Sequence, residues 1–217
     1  MSKILQELQE LFKSETIKPT FDYVHIILAL FIFDENKNGL GRYRLKEELL
    51  IGSGTAKSLI TKLRNKISFI SVLDGNIRKG HVLTEKGLAY LKKIKKKMPL
   101  ISEGDISVIQ EIIIDSKNAT AYFCQIKNCS EKLTNGIEQR DAAIKVGGLG
   151  ATCLVYDGNQ LVFPSGYVGN DNVNEYFKKE IINLDSKLEK NDVIIIGLSE
   201  NLNIARLAAV NAALTLI

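Results

Sequence analysis

Residues 52–87 read GSGTAKSLITKLRNKISFISVLDGNIRKGHVLTEKG, and this stretch decides the fold of the N-terminal half. Gly52-Ser53-Gly54-Thr55 is a tight turn in which Ser53 or Thr55 can cap a following helix. Over residues 55–66 the apolar positions Ala56, Leu59, Ile60 and Leu63, continued by Ile67, form one narrow stripe at helical spacing. Residues 69–73 have the composition of a strand, Asp74-Gly75-Asn76 is a hairpin-turn signal, and His81-Val82-Leu83 is the returning strand. Thr84-Glu85-Lys86-Gly87 opens another helix, with Leu88, Leu91 and Ile94 on its inner side. That helix runs into a lysine-rich segment, residues 92–97, and should stop before Pro99, which biases Met98 away from helical geometry.

Upstream, Asp22 can cap a helix over 22–34 that is apolar on most faces, as expected of the buried central helix of a small domain. Before it, Ile4, Leu5, Leu8, Leu11 and Phe12 recur at helical spacing and predict a short amphipathic arm. After a loop at 36–41, a third helix is expected over 43–51, with Leu45, Leu49 and Leu50 facing inward. Helix, helix, tight turn, helix, two-stranded hairpin, helix is the order of a winged helix-turn-helix. Each turn signal falls where that topology needs one.

Charge divides the chain the same way. Residues 1–100 carry 19 basic and 10 acidic side chains, a net of +9; residues 101–217 carry 10 and 15, a net of −5. A basic half suits a polyanion, which the acidic half would repel. No acidic residue occurs between Glu48 and Asp74. On the helix over 55–66, the face opposite the apolar stripe carries Ser58, Thr61 and Asn65, with Thr55 and Lys62 beside them and Lys57 and Arg64 at the flanks. Lys57, Lys62 and Arg64 are expected to hold phosphates, and Ser58, Thr61 and Asn65 to meet base edges. Arg78 and Lys79, in the hairpin loop, would reach the backbone or minor groove. Arg42 and Arg44 flank the preceding helix and are further phosphate candidates. The lysine run at 92–97 argues less, because cations in a last helical turn already favour the helix dipole.

The second half alternates strand-like and helical segments. Strands are expected over 106–114, 119–126, 151–156, 160–163 and 193–197, the last a continuous apolar run suited to a central position. Helices are expected over 137–146, 173–188 and 202–216, with Gly147 as a C-terminal cap. The whole is read as α+β: a winged helix-turn-helix over 1–98, then an α+β domain over 99–217 with a mixed sheet. Two spots in the second half are candidate ligand sites. Arg140 and Asp141 lie just before the glycine turn, where a surface ion pair is the simpler reading. Ser199 and Asn201 lie where a central strand meets a helix N-terminus, where a helix cap is the simpler reading.

Several classes are disfavoured. Three cysteines without a CxxC pair, and two histidines, do not make a zinc site, and Cys124 and Cys153 read as small apolar strand residues. No metal or cofactor is expected. No apolar run is long enough to span a bilayer, and the first residues lack the apolar core of a signal peptide, so a cytoplasmic protein with no membrane partner is expected. No nucleophile–base pair or two-carboxylate arrangement is evident, so the protein is not expected to be an enzyme.

The segments Gly41-Arg42-Tyr43-Arg44-Leu45-Lys46-Glu47-Glu48-Leu49, Gly54-Thr55 and His81-Val82-Leu83-Thr84-Glu85-Lys86-Gly87 resemble archaeal winged-helix transcription regulators. Residues 136–152, from Gly136-Ile137-Glu138 to Gly150-Ala151-Thr152, look like an archaeal C-terminal domain of unknown function that follows such a winged helix. The resemblance covers most of the chain from Asp22 onward. It implies the two-domain architecture and a role in regulation, and no ligand or activity. Taken with the element order and the basic first half, the expected protein is a transcription regulator that binds double-stranded DNA, as a homodimer because one recognition helix covers only one half-site, with a second domain that dimerises or senses a small-molecule effector. The alternative is a small-molecule, kinase-like enzyme carrying a winged-helix appendage.

Overall fold

A computed structural model describes residues 3–13, 19–75, 79–113, 118–168 and 170–217. The chain forms two compact units, Met1–Ile94 and Lys95–Ile217, dividing four residues before the boundary expected at 98/99.

The first unit opens with α1 (Lys3–Gln6) and a 3-10 turn (Gln9–Phe12). Leu5, Leu8 and Leu11 are buried, and the Tyr90 hydroxyl donates to the Ile4 carbonyl at 2.9 Å. The amphipathic arm thus packs on its own unit. The central helix α2 (Tyr23–Glu35) buries nine consecutive side chains other than its histidine, from Val24 and Ile26 through Phe33. His25 Nδ1 accepts a hydrogen bond from the Asp22 backbone N–H at 3.0 Å, reciprocating the Asp22 cap. Burial lowers the His25 pKa against the pull of Asp22.

Then follow α3 (Arg42–Glu48), α4 (Ser53–Asn65), β1 (Ile70–Val72), β2 (His81–Leu83) and α5 (Glu85–Lys97). α4 begins two residues earlier than expected, with Gly52 at the cap and no side chain capping it. β1 and β2 pair antiparallel, Val72 opposite His81, and Leu40 bridges the outer side of β2 through reciprocal backbone hydrogen bonds with His81. Thr84 secures the start of α5: its Oγ1 accepts from Gly87 N and donates to the Ser68 carbonyl.

The second unit is a five-stranded sheet with helices on both faces. Its strands are β3 (Leu100–Gly104), β4 (Thr120–Ile126), β5 (Gly150–Tyr156), β6 (Leu161–Val162) and β7 (Val193–Ser199), in the order β3-β4-β7-β5-β6. Every pairing is antiparallel, so the expected mixed sheet is corrected. β7 is central and buried at all seven residues. A continuous apolar run reports burial on both faces, which helical layers impose on an antiparallel sheet as well as on a parallel one.

One layer contains α8 (Asp171–Asn183), whose Val173, Phe177 and Ile181 pack with Phe123, Ile194 and Ile196 of the sheet. The other contains α7 (Ile137–Lys145) and α9 (Leu202–Leu214). α9 lies close to β7 because Gly197 has no side chain: a Cβ there would sit 2.2 Å from Ala209 N and 2.7 Å from the Ala205 carbonyl. α7 ends as expected at Gly147, with φ +92°. Gly148 N bonds the Ala143 carbonyl and Gly147 N the Ile144 carbonyl, a Schellman motif.

The strand expected over 106–114 is not formed in its described part. α6 (Ile106–Ile109) and a 3-10 turn (Gln110–Ile112) occupy it, and β3 lies before it. Asp105 caps α6 by accepting from both the Ser107 N–H and hydroxyl. Ile106, Ile109 and Ile112 are three apart, a helical spacing that a short apolar run does not separate from strand.

Candidate nucleic-acid interface

α4 carries the first candidate site. Its core stripe is confirmed in detail: Ala56, Leu59, Ile60 and Leu63 are buried. The remaining surface divides into two strips. Thr55 and Lys62 face the N-terminal segments: Thr55 Oγ1 lies 2.6 Å from Thr20 Oγ1, and Lys62 Nζ donates to the carbonyls of Leu11 at 2.7 Å and Lys13 at 3.1 Å. Ser58 is half-buried. The open strip holds Lys57, Thr61, Arg64 and Asn65, all exposed. The arm therefore shifts the accessible face of α4 away from the direction opposite the core. Arg64 Nε donates to Asn65 Oδ1 at 3.1 Å, which fixes the guanidinium beside the amide.

The open strip forms one wall of a groove of about 550 Å³. Arg42 and Tyr43, at the start of α3, form a second wall, and Gly80 with His81, entering β2, the floor. The Arg42 guanidinium sits 5.1 Å from the Tyr43 ring centroid, a cation–π contact that holds it at the groove mouth. Tyr43 is 68% exposed. Three cations and no carboxylate line this space among the described residues. His81 is 7% exposed, and its Nδ1 is buried with no hydrogen-bond partner. Burial, and then the positive charge of Arg64, lower its pKa.

In the hairpin, Lys79 Nζ is 3.0 Å from Asp74 Oδ2, and both side chains are more than half exposed. Such a solvent-exposed pair is weak. Arg44 pairs with Glu48 at 3.7 Å. Arg78 lies outside the described residues. Tyr43 and His81 were not legible as site residues, because only the tertiary fold brings α3 and β2 against α4.

The candidate ligand residues of the second unit do not converge. Arg140 lines a cavity of about 610 Å³ walled mainly by Ile112, Ile137, Leu149, Phe163 and Leu198, and its guanidinium pairs with Asp141 at 2.9 Å on the surface. Asp141, Ser199 and Asn201 do not line that cavity. Asn201 caps α9, accepting from Asn203 N at 3.0 Å and Ile204 N at 3.2 Å, so these amide groups are already satisfied. Ser199 is buried, and its Oγ accepts from Asn201 N. All three cysteines are free and buried, and burial raises the thiols of Cys129 and Cys153 to about 12. Among the described residues no His, Cys, Asp or Glu cluster could hold a metal ion, and no helix is long and apolar enough to cross a membrane.

Comparison with known proteins places the second unit. Residues 117–216 match the family model described as Domain of unknown function (DUF4443). The C-terminal part is a DUF4443 domain. Its match begins just before β4 and ends at the close of α9, so it takes in the central strand, the glycine turn after α7 and Arg140. Among solved structures the chain is similar to a hypothetical protein from the archaeon Pyrococcus horikoshii OT3. The two are 26% identical with a TM-score of 0.68, over 90% of this chain and 93% of that one. This likeness extends well beyond the DUF4443 domain into the first unit. No curated protein matches the chain.

Proposed function

We propose that the first unit is a winged helix-turn-helix that binds duplex DNA, with α4 entering the major groove and the β1–β2 hairpin as the wing. The observation that carries this reading is the open strip of α4: Lys57, Thr61, Arg64 and Asn65 are exposed together, on a unit of net positive charge, with no carboxylate on the helix. Lys57 and Arg64, with Arg42 across the groove, hold phosphates; Thr61 and Asn65 meet base edges. Lys62 is assigned to the arm and not to DNA. Lys79 joins the phosphate contacts once released from Asp74. The DUF4443 domain is the regulatory half, through dimerisation, effector sensing or both, and its cavity beside Arg140 is the place for an effector.

Duplex binding measured by fluorescence anisotropy across a salt series tests this. Affinity should fall steeply with salt, since each neutralised phosphate releases counterions. No binding to a mixed-sequence duplex at low salt would refute it.

A further inference from the structure

We propose that the groove between α3, α4 and β2 is a phosphate-binding pocket in which the imidazole of His81 is the buried hydrogen-bond donor. The proposal deepens the DNA reading and rests on it for the source of the phosphate, which is otherwise that of a free nucleotide. Three observations converge. The groove, at about 550 Å³, is large enough for a nucleotide unit. Its polar walls are cationic: Arg42, Lys57 and Arg64 surround it, with no carboxylate among the described residues to compete for them. And its floor holds an imidazole that is over nine-tenths buried yet lacks a partner at Nδ1.

The third observation sets the tautomer of the ring and adds a neutral donor to a cationic groove. Buried polar atoms in folded proteins almost always have a partner, so a buried ring nitrogen without one constrains where the ring carries its proton. His25, the other histidine of the chain, follows the rule: its Nδ1 accepts from the Asp22 N–H. His81 Nδ1 is shut off from solvent with nothing to accept its proton. The proton of the neutral ring therefore belongs on Nε2, the ring nitrogen that is not closed off in this way, on a residue that lines the groove. The ring is kept neutral by burial and by Arg64. It thus contributes a directional donor, while the arginines and the lysine contribute charge. Arg42, held against Tyr43, and Arg64, held by Asn65, are already oriented, so little side-chain freedom is lost when an anion arrives.

Imidazole nitrogen NMR on the full-length protein tests this, because the chain has only two histidines to resolve. Inorganic phosphate, deoxyadenosine 5′-monophosphate and a short duplex are titrated separately, with chloride at matched ionic strength as the control. The His81 signals, assigned by their loss in His81→Phe, should move saturably with phosphate and with the nucleotide, while those of His25 stay. Arg64→Met, an exposed change that leaves the core intact, should weaken phosphate binding about tenfold. The pocket is refuted if phosphate and nucleotide leave His81 unmoved, or if chloride moves it equally. Duplex binding with His81 unmoved by the small phosphates would sink the pocket and leave the DNA reading standing. A phosphate-dependent His81 shift without duplex binding would keep the pocket, with a free nucleotide as its ligand, and sink the DNA reading.

Discussion

Two lysines on α4, five residues apart, have different work. Lys57 projects into the open groove; Lys62 donates to two backbone carbonyls of the N-terminal arm. Composition and helical spacing treat them alike, and the structure separates them. Lys57→Ala and Arg64→Ala should each weaken binding to all duplexes alike and reduce the salt slope by about one. Lys62→Ala should leave that slope unchanged. Its cost should appear in urea unfolding as about 1 kcal/mol, because a half-buried ammonium–carbonyl contact is lost and two acceptors are left to water. A reduced salt slope in Lys62→Ala would mean that the arm yields its lysine to DNA. A different balance holds at Asp192, which is fully buried. Its carboxylate accepts from Gln125 Nε2, Asn128 N, Glu189 N and the Lys127 ammonium at 2.8–3.0 Å. Asp192→Ala should cost about 3–5 kcal/mol in denaturant unfolding, since a part-buried lysine and buried donors lose their acceptor.

At the scale of elements, what the sequence discloses depends on how local the cause is. The α4 stripe, the hairpin, the stop before Pro99 and the Gly147 cap were legible because each is set by residues near one another in sequence. The antiparallel direction of β7 was not, because its flanking strands β4 and β5 come from distant parts of the chain and its own seven residues are buried whichever way they run. The same limit hid the arm beside α4, and with it the rotation of the exposed face toward Lys57 and Arg64. Gly197 shows the limit most sharply. In sequence it is one glycine in an apolar strand, and in the structure it is where α9 backbone approaches β7. Gly197→Ala should destabilise the protein by about 3 kcal/mol, because the new Cβ meets backbone that cannot rotate away. Asn201→Ala, which removes only the α9 cap, should cost about 1 kcal/mol. Comparable losses from the two changes, read from urea midpoints, would show that α9 shifts to make room.

Across the whole molecule, positive charge and histidine are segregated together. The basic unit holds both histidines, and both have lowered pKa values, chiefly from burial. A histidine that resists protonation in the folded state stabilises that state only while the unfolded chain would also be neutral there. Above the ordinary value of 6.5 the stability is fully present. As pH falls below 6.5 the unfolded chain takes up protons that the folded unit refuses, and stability is lost until the lowered folded values are passed. The carboxylates that dominate the second unit ordinarily titrate lower, near pH 4. Between pH 7.5 and 5, then, the first unit should weaken while the DUF4443 domain holds. Hydrogen exchange followed peptide by peptide should show protection falling in α2 and β2, with that of β7 unchanged once intrinsic exchange rates are corrected for pH. The decline should begin near pH 6.5, and His81→Phe should remove part of it. Equal loss in both units would show that the two cores unfold as one, and that the pH response does not belong to the histidines of the first.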